Sequence, residues 1–500
     1  MQLTPAFDAF AERYPLGKPL LVWTSLVSDL ETPVSAMLKL ADGRANSFLF
    51  ESVESGAVRG RYSIIGLKPD LIWRAFGNRA EINRRARFDA DAFQAAAGAA
   101  IESLRALIRE CRVEIEAPLP PMAAGVFGYV GYNMVSLMER LPDKNPDQLG
   151  IPDAMFLRPT VICIFDNIAD RVSMVTPVWP DRDISARAAY DRAQERLADV
   201  LADFERNLPY RREAAEAVQE LPPPAANMTR VECMDMVERA KEYIRAGEIF
   251  QVVPSMRLHV PFRLPPFALY RALRRLNPSP YLFFLDFGQF SVVGSSPEVL
   301  VRLRNGTVTI RPLAGTRRRG ATPAEDAALA AELLADPKER AEHLMLLDLA
   351  RNDVGRVAKI GTVRVTEQMV IERYSHVMHI CSHVEGEIDP RHDAMDALVA
   401  GFPAGTLSGA PKVRAMEIID ELEVERRNLY GGAVGYFAGD GSMDTCIVLR
   451  TAIVKDGEMV VQAGCGVVAD SDPAAEHQEI LDKARALFRA AEEAVRFARH

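Results

Sequence analysis

Acidic side chains recur where an amphipathic helix should turn apolar. In the stretch from Pro337 to Arg351, Glu339, Glu342, Leu346 and Leu349 are spaced three, four and three residues apart and so share one helical face. Near the C-terminus, Glu476, Glu479, Lys483 and Leu487 follow at three, four and four. Both stripes begin with carboxylates and continue into apolar residues. If the two helices converge, four carboxylates make a hard-cation site. Mg2+ is favoured because every ligand is oxygen, and a carboxylate-rich substrate would supply the remaining ones. Each helix alone also has a plainer reading. Acids near a helix start complement the dipole, and Glu479 with Lys483 is an ordinary i, i+4 pair. Spacing does not decide between these readings.

Three further features carry chemistry. Thr406 to Lys412 is a short polar turn ahead of a helix expected from about Val413. It presents backbone N–H groups and a hydroxyl that suit an anion, or it simply caps the helix; it lacks the spacing of a nucleotide-binding P-loop. Gly464-Cys465-Gly466 lets a ligand approach the backbone closely, or marks a strand end. Arg450 stands in the apolar run Cys446 to Ile453, where a buried guanidinium requires a carboxylate from the protein or from a ligand.

The elements that must position these residues follow from breakers and periodicity. Residues 181–220 read as one or two long polar helices that end at Pro222-Pro223-Pro224, which places the main boundary between 1–221 and 222–500. Upstream, alternating segments around Ser63 to Gly66 and Thr160 to Phe165 predict a mostly β region with some helices. Downstream, Asn227 to Gly247 predicts an amphipathic helix with Thr229 as N-cap. Strands over Phe290 to Arg304 and Val308 to Pro312 flank the turn Asn305-Gly306. Two helices follow, split at Asp336-Pro337. Another hairpin is expected from Thr445–Val454 and Met459–Val468, and a helix closes the chain from Pro473. Locally paired strands with interspersed helices define an α+β fold with antiparallel sheets.

The chain has 500 residues, 48% hydrophobic and 26% charged, which is ordinary for a soluble globular protein. A formal charge of −9 argues against a nucleic-acid partner, since phosphate contacts need a basic surface. No apolar run reaches the roughly 18 residues of a membrane helix, and Met1 to Gly17 is not a secretory signal. The six cysteines form no C-x-x-C pair. Reduced thiols and a cytoplasmic location are therefore expected, without a thiolate metal site.

Taken together, several stretches resemble the chorismate-utilising enzymes, and within them the anthranilate synthase component I family. They are Ile249–Ser255, Asn277–Tyr281, Ser296–Glu298, Pro312–Arg317, Glu342–Asp353, Arg373–His379, Gly405–Arg414, Tyr430–Tyr436, Asp444–Arg450 and Gln462–Val467. The resemblance runs from about residue 45 to 490. It implies two antiparallel β-sheets packed face to face with helices outside and the active site between them. It further implies a chorismate-binding catalytic domain over 222–500 and an N-terminal region carrying a tryptophan-site element. Glu342 and Glu479 would bind Mg2+ directly, with Glu339 and Glu476 ligating or just behind, and the metal would hold the ring carboxylate of chorismate. Tyr430, Arg450, the backbone of Gly464 and Gly466, and Lys483 would hold the enolpyruvyl side and its carboxylate. Gly315, Thr316 and Thr406 would line the ring pocket. The implied reaction is that of a lyase: chorismate and ammonia give anthranilate and pyruvate, the first step of tryptophan biosynthesis. Glu298 is the candidate general acid for the departing C4 hydroxyl, and His379 the candidate proton carrier in the second half.

Two positions discriminate among relatives. Those that add water carry a lysine base where this chain has Gln251, and an amide cannot activate water at neutral pH. Aminodeoxychorismate synthase typically has lysine where this chain has Ala314. That enzyme is the nearest alternative, and a non-catalytic chorismate- or tryptophan-binding protein is the other. Phe50-Glu51-Ser52 and Pro278-Ser279-Pro280-Tyr281 resemble the two halves of a tryptophan feedback site. No fused glutaminase motif is apparent, which implies a separate glutamine amidotransferase subunit that delivers ammonia within a heterotetramer.

Overall fold

Two Asn-Gly and Asp-Gly dipeptides close hairpins in the way their chemistry demands. Asn305 and Gly306 have φ of 51° and 73°, and Asp456 and Gly457 have 51° and 79°. Paired positive φ values are those of a type I′ turn, whose twist matches that of the flanking strands. The hairpins so formed join Val299–Arg304 to Thr307–Ile310 and Thr451–Lys455 to Glu458–Gly464. The structure is a computed structural model; it describes all residues except 42, 55–57, 209–220, 375–376 and 499–500.

All named strand pairs are antiparallel, and among the described residues hydrogen bonds join 21 strands into one continuous network. Two layers can be traced within it. One includes, as hydrogen-bonded neighbours, Ser255–Pro261, Glu458–Gly464, Thr451–Lys455, Ser291–Ser296, Tyr281–Asp286 and Ser47–Glu51. The other includes Gly125–Val130, Ala433–Ala438, Met443–Ile447, Val299–Arg304, Thr307–Ile310 and Val377–Glu387. The long strands Tyr62–Phe76 and Ala154–Asp166 serve both. Tyr62–Phe76 pairs near Ile64 with Ser47–Glu51 of the first layer, Ala154–Asp166 pairs near Leu157 with Gly125–Val130 of the second, and the two long strands pair with each other. A register shift between Pro69 and Leu71 marks the change. The α+β reading and the two facing layers therefore hold, with the layers linked by shared strands.

Strand alternation sorts most of the core into three parts. Phe48, Phe283 and Ile453 of the first layer and Phe127, Leu157 and Val434 of the second point inward and pack in one cluster. The rings of Phe48 and Phe127 meet across it at 4.6 Å. Their neighbours Leu49, Phe284 and Val454 face outward instead, under Ala186–Glu205, Arg230–Arg245, Pro266–Leu276 and Pro473–Ala498. On the far side, Val126, Phe156 and Ala433 lie under Ala100–Glu110, Pro337–Gly355 and Ala394–Gly401. Strands apolar on both faces are what two helix-covered outer surfaces require.

Several expected boundaries move. The long polar helix is Ala186–Glu205, and residues 209–220 of its predicted continuation lie outside the described residues. Arg230–Arg245 starts at Thr229 with a full capping box to Glu232. The expected strand Phe290–Arg304 is two strands, Ser291–Ser296 and Val299–Arg304, because Pro297 has no N–H for the ladder. The strand expected over Thr445–Val454 also divides, and Arg450 sits at the bend between its halves with φ of 49°. Strands from both sides of Leu221 pair with each other, as Ser47–Glu51 does with Tyr281–Asp286. All six cysteines are buried free thiols. Among the described residues no helix is long and apolar enough to cross a membrane.

Candidate active site

The polar turn at Thr406 is one helical turn, Gly405–Ser408, followed by Gly409-Ala410, which pairs with Gln251-Val252. This bridge brings Gln251 to the acid-bearing helix Pro337–Gly355. Its amide Nε2 donates to Glu342 Oε1 at 3.3 Å, while its own carbonyl oxygen is buried without a partner. On the other side stands Gly466, where an added Cβ would lie 2.8 Å from the same Nε2. At Gly464 a Cβ would meet the Pro254 carbonyl at 2.6 Å and the Tyr430 hydroxyl at 2.8 Å. At Gly464 the fixed carbonyl leaves room only for glycine, whereas at Gly466 a Cβ would push aside the Gln251 amide.

The four predicted acids face one another, though not as a tight cage. Burial raises the Glu342 carboxyl above its ordinary value, and the negative charges of Glu339 and Glu479 add to this. Glu476 is likewise raised by burial and by Glu479, and its Oε2 is buried without a partner. The two helices therefore converge, which spacing alone left open. Glu339 also pairs with Arg317 at 3.0 Å and Glu479 with Lys483 at 2.7 Å. Lys483 donates to the Gly464 carbonyl at 2.9 Å, tying the C-terminal helix to the glycine segment. Among the described residues the one set of three possible ligands within 4.8 Å of one another is Glu372, Cys381 and His383. The Arg311 guanidinium contacts all three of these and fills the role of the cation there.

The residues expected to carry protons lie on the second layer. Gly315, with φ of 69°, shifts the register between Leu313–Arg318 and Val377–Glu387 and sets Thr316 opposite His379. His379 Nδ1 lies 2.9 Å from the Gly315 carbonyl and 3.1 Å from the Thr316 hydroxyl. A carbonyl can only accept, so Nδ1 carries the proton and Nε2, buried without a partner, is the free lone pair. Burial pushes the imidazole down to about 4, so it is neutral near pH 7 rather than half-protonated as an exposed histidine would be. The same Gly315 brings the chain against Glu339, whose Oε2 lies 3.0 Å from where a Cβ would stand.

Glu298 is 7% exposed, and Thr406 donates to its Oε1 at 3.2 Å. Burial pushes this carboxyl up to about 8, against the opposing influences of Thr406, the Leu313 N–H and Arg450. It therefore holds its proton at neutral pH, as a general acid must. Arg450 is half-buried, with its charge disfavoured by burial, and among the described residues no carboxylate lies at ion-pair distance from it. Of the two partners left open for it by the sequence, the one from the protein is not found among the described residues, which leaves a ligand carboxylate.

The expected inhibitor residues meet elsewhere. Strands Ser47–Glu51 and Tyr281–Asp286 pair, with Glu51 opposite Leu282, so two elements distant in sequence become adjacent. They line a cavity of about 1050 Å³ that also includes Ser52, Pro280, Tyr281, Asp444 and Tyr374. Both Glu51 oxygens are already engaged, by the Tyr270 hydroxyl at 2.6 Å and by Arg274 at 2.6 and 3.0 Å. Ser279 is buried, and Pro278 is half-buried beside it. The residues that sequence reasoning missed are those that engage or hold the named ones: Gln251 as a ligand of Glu342, Tyr270 and Arg274 on Glu51, and Arg427 behind Tyr430. Their signal is weak, since polar residues inside helices and loops look solvent-exposed until the fold is known.

With this geometry in view, the comparisons with known proteins agree on its class. The family model for chorismate binding enzymes matches residues 65–489. The chain belongs to this family, and it is an enzyme of the chorismate-utilising kind. It is 59% identical over 494 residues to anthranilate synthase component 1 of Cereibacter sphaeroides, covering 99% of each chain. It is 48% identical over 479 residues to the protein of the same name from Pseudomonas aeruginosa, covering 93% of this chain and 94% of that one. Among solved structures, anthranilate synthase component I from Streptococcus pneumoniae superposes with a TM-score of 0.75 at 35% identity, over 93% of this chain and 98% of that one. The menaquinone-specific isochorismate synthase of Escherichia coli shares the fold, with a TM-score of 0.70 at 18% identity over 97% of this chain and 100% of that one.

Proposed function

We propose that this chain is the chorismate-converting subunit of an anthranilate synthase, which forms anthranilate and pyruvate from chorismate and ammonia. The observation that carries the choice within the family is Gln251. It is buried in the site with its amide against Glu342, where a water-adding relative needs a lysine base. An amide activates no water, whereas ammonia brings its own lone pair. Relatives named anthranilate synthase component 1, similar over nearly the whole chain, support the same choice.

The acids fit a hard divalent cation. Two of them carry raised carboxyls and one has an unpartnered buried oxygen, conditions that a positive charge relieves. A loose arrangement suits Mg2+, which takes one or two carboxylates and fills its shell with substrate oxygens and water. Glu342 and Glu479 would hold it, with Glu339 and Glu476 close behind. When bound, the ion neutralises the ring carboxylate of chorismate among these acids.

The remaining work falls to the chain. Arg450 and Lys483 hold the substrate carboxylate on the enolpyruvyl side, and Tyr430 with the Gly464 and Gly466 backbone forms its wall. Gly315 and Thr316 line the ring. Ammonia adds at ring C2 while the C4–O bond breaks, and Glu298 protonates the departing oxygen so that water leaves instead of hydroxide. The C2 proton is then removed, with the His379 Nε2 lone pair as acceptor, and pyruvate departs as the ring becomes aromatic. Ammonia comes from glutamine through a separate amidotransferase subunit, in a heterotetramer with two copies of each. Tryptophan binds the cavity lined by Glu51, Ser52 and Pro278–Tyr281 and inhibits.

The test is to incubate the purified chain with chorismate, Mg2+ and ammonium and follow anthranilate fluorescence, with and without tryptophan. Fluorescence that requires Mg2+ and falls with tryptophan is expected. Chorismate consumed without anthranilate overturns the reaction in favour of aminodeoxychorismate formation. Unchanged chorismate overturns the enzymatic reading altogether.

A further inference from the structure

One buried guanidinium behind the site touches the backbone of the elements that carry it. Arg427 lies between the helix Lys412–Leu422 and Tyr430, and its side chain is 1% exposed. Its Nε donates to both oxygens of Glu423 at 3.0 Å, and Nη2 donates to Oε1 at 2.6 Å. The same fork has two more targets. Nη1 donates to the Leu407 carbonyl at 2.7 Å, and Nη2 to the Val253 carbonyl at 2.5 Å. The guanidinium carbon also stands 4.7 Å from the Tyr132 ring centroid and 5.4 Å from that of Tyr430. Glu423 in turn accepts from the N–H and hydroxyl of Ser255, which pairs with Gly464.

Three of these contacts end at, or one or two residues from, a group at the reacting centre. Leu407 follows Thr406, the donor to Glu298. Val253 follows Gln251 by two residues, and Gln251 holds Glu342. Tyr430 stands against Gly464. We propose that Arg427 is a positioning residue, which fixes the proton-donating, acid-bearing and glycine-walled parts of the site relative to one another. The proposal rests on the reading of the site given under Proposed function. A planar fork can satisfy a carboxylate and two diverging carbonyls while stacking on rings, which a lysine ammonium on its flexible stem cannot do. A fold that needed only charge balance for Glu423 would accept either cation.

The experiment compares the full-length wild-type chain with Arg427→Lys, which keeps Glu423 paired, and with the charge-free pair Arg427→Gln/Glu423→Gln. Far-UV dichroism and thermal unfolding report the folded fraction, and anthranilate formation from chorismate, Mg2+ and ammonium reports activity. Rates are normalised to folded enzyme and taken at constant free ammonia. The expected result is a loss in kcat of about 10- to 100-fold in the folded variants, from misplaced groups. A second signature accompanies it. With Thr406 no longer held, Glu298 loses a hydrogen bond that favours its charged form, so the alkaline limb moves to higher pH, as it also does in Thr406→Val. Unchanged kcat and an unmoved alkaline limb in a folded variant overturn the proposal, because Arg427 would then serve stability alone. Failure of both variants to fold overturns it on the same ground. A wild-type chain that makes no anthranilate overturns the activity reading and this proposal together, whereas an active wild type with an equally active Arg427→Lys overturns this proposal alone.

Discussion

Replacing Glu298 by glutamine should cost the enzyme its activity and make the folded chain more stable. The side chain is 7% exposed, and burial raises its carboxyl from the ordinary 4.5 to about 8. Because the folded value lies above the unfolded one, the folded state keeps a proton that the unfolded state releases between these two pH values. Stability contributed by this group is therefore complete at low pH and declines as pH rises through that window, by about 1.4 kcal/mol per unit. At pH 7 the loss is on the order of 3 kcal/mol, and it levels off near 5 kcal/mol above pH 8. Glutamine has nearly the same shape and no proton to release, so it escapes this term. For a chain of this length, 3 kcal/mol corresponds to a rise in Tm of about 3 °C. Activity should fall by about 10²- to 10⁴-fold, the usual contribution of a general acid. Scanning calorimetry of both proteins at about pH 5 and about pH 8, beside the anthranilate assay, tests the two halves together. A Tm difference that does not grow with pH would refute the argument that burial holds the proton. Near-normal turnover in Glu298→Gln would refute its catalytic use.

Four other outcomes are expected. Glu342→Gln should raise the Mg2+ concentration needed for half-maximal activity by more than about tenfold, read from metal titrations. In the wild type, the raised Glu342 carboxyl should weaken the metal requirement's satisfaction as pH falls, because a protonated acid is a poor ligand. His379→Ala should lower kcat by about 10²-fold or more, and wild-type turnover in that variant would remove His379 from the mechanism. Glu51→Gln loses the charge that holds Arg274 and Tyr270, and tryptophan titrations should show inhibition weakened by about tenfold or more relative to the uninhibited rate of the same variant.

How much of this was legible in the sequence depends on the range of the interaction involved. Local chemistry was readable. The N-cap at Thr229, the helix split at Asp336-Pro337 and the Asn305-Gly306 turn are set within a few residues, and each appears where expected. The acids at Glu339, Glu342, Glu476 and Glu479 were visible as anomalies on apolar stripes, but their approach depends on how two helices more than a hundred residues apart dock. The position of Arg450 was misread because its flanks are apolar and β-prone. A backbone in the left-handed region at a strand break leaves no mark in hydrophobic pattern. Arg427 and Tyr270 went unnoticed for a related reason: their partners are carbonyls or side chains reached only through the tertiary fold.

Charges that burial disfavours supply the last step. Arg450 is a cation disfavoured by burial, whereas Glu342 is an acid disfavoured by burial, Glu339 and Glu479, and Glu476 one disfavoured by burial and Glu479. A folded protein rarely leaves such groups unsatisfied, since each costs free energy on the order of a hydrogen bond or more. They are tolerable here because their needs are complementary to one ligand set. A carboxylate at Arg450 and a second carboxylate bridged to the acids by a divalent ion would satisfy both ends at once. Neither end gains fully alone: the anion without the metal meets the acids, and the metal without the anion leaves Arg450 bare. If the proposed metal and dicarboxylate bind here, the same incompatibilities that make the free site electrostatically costly would make their binding mutually reinforcing.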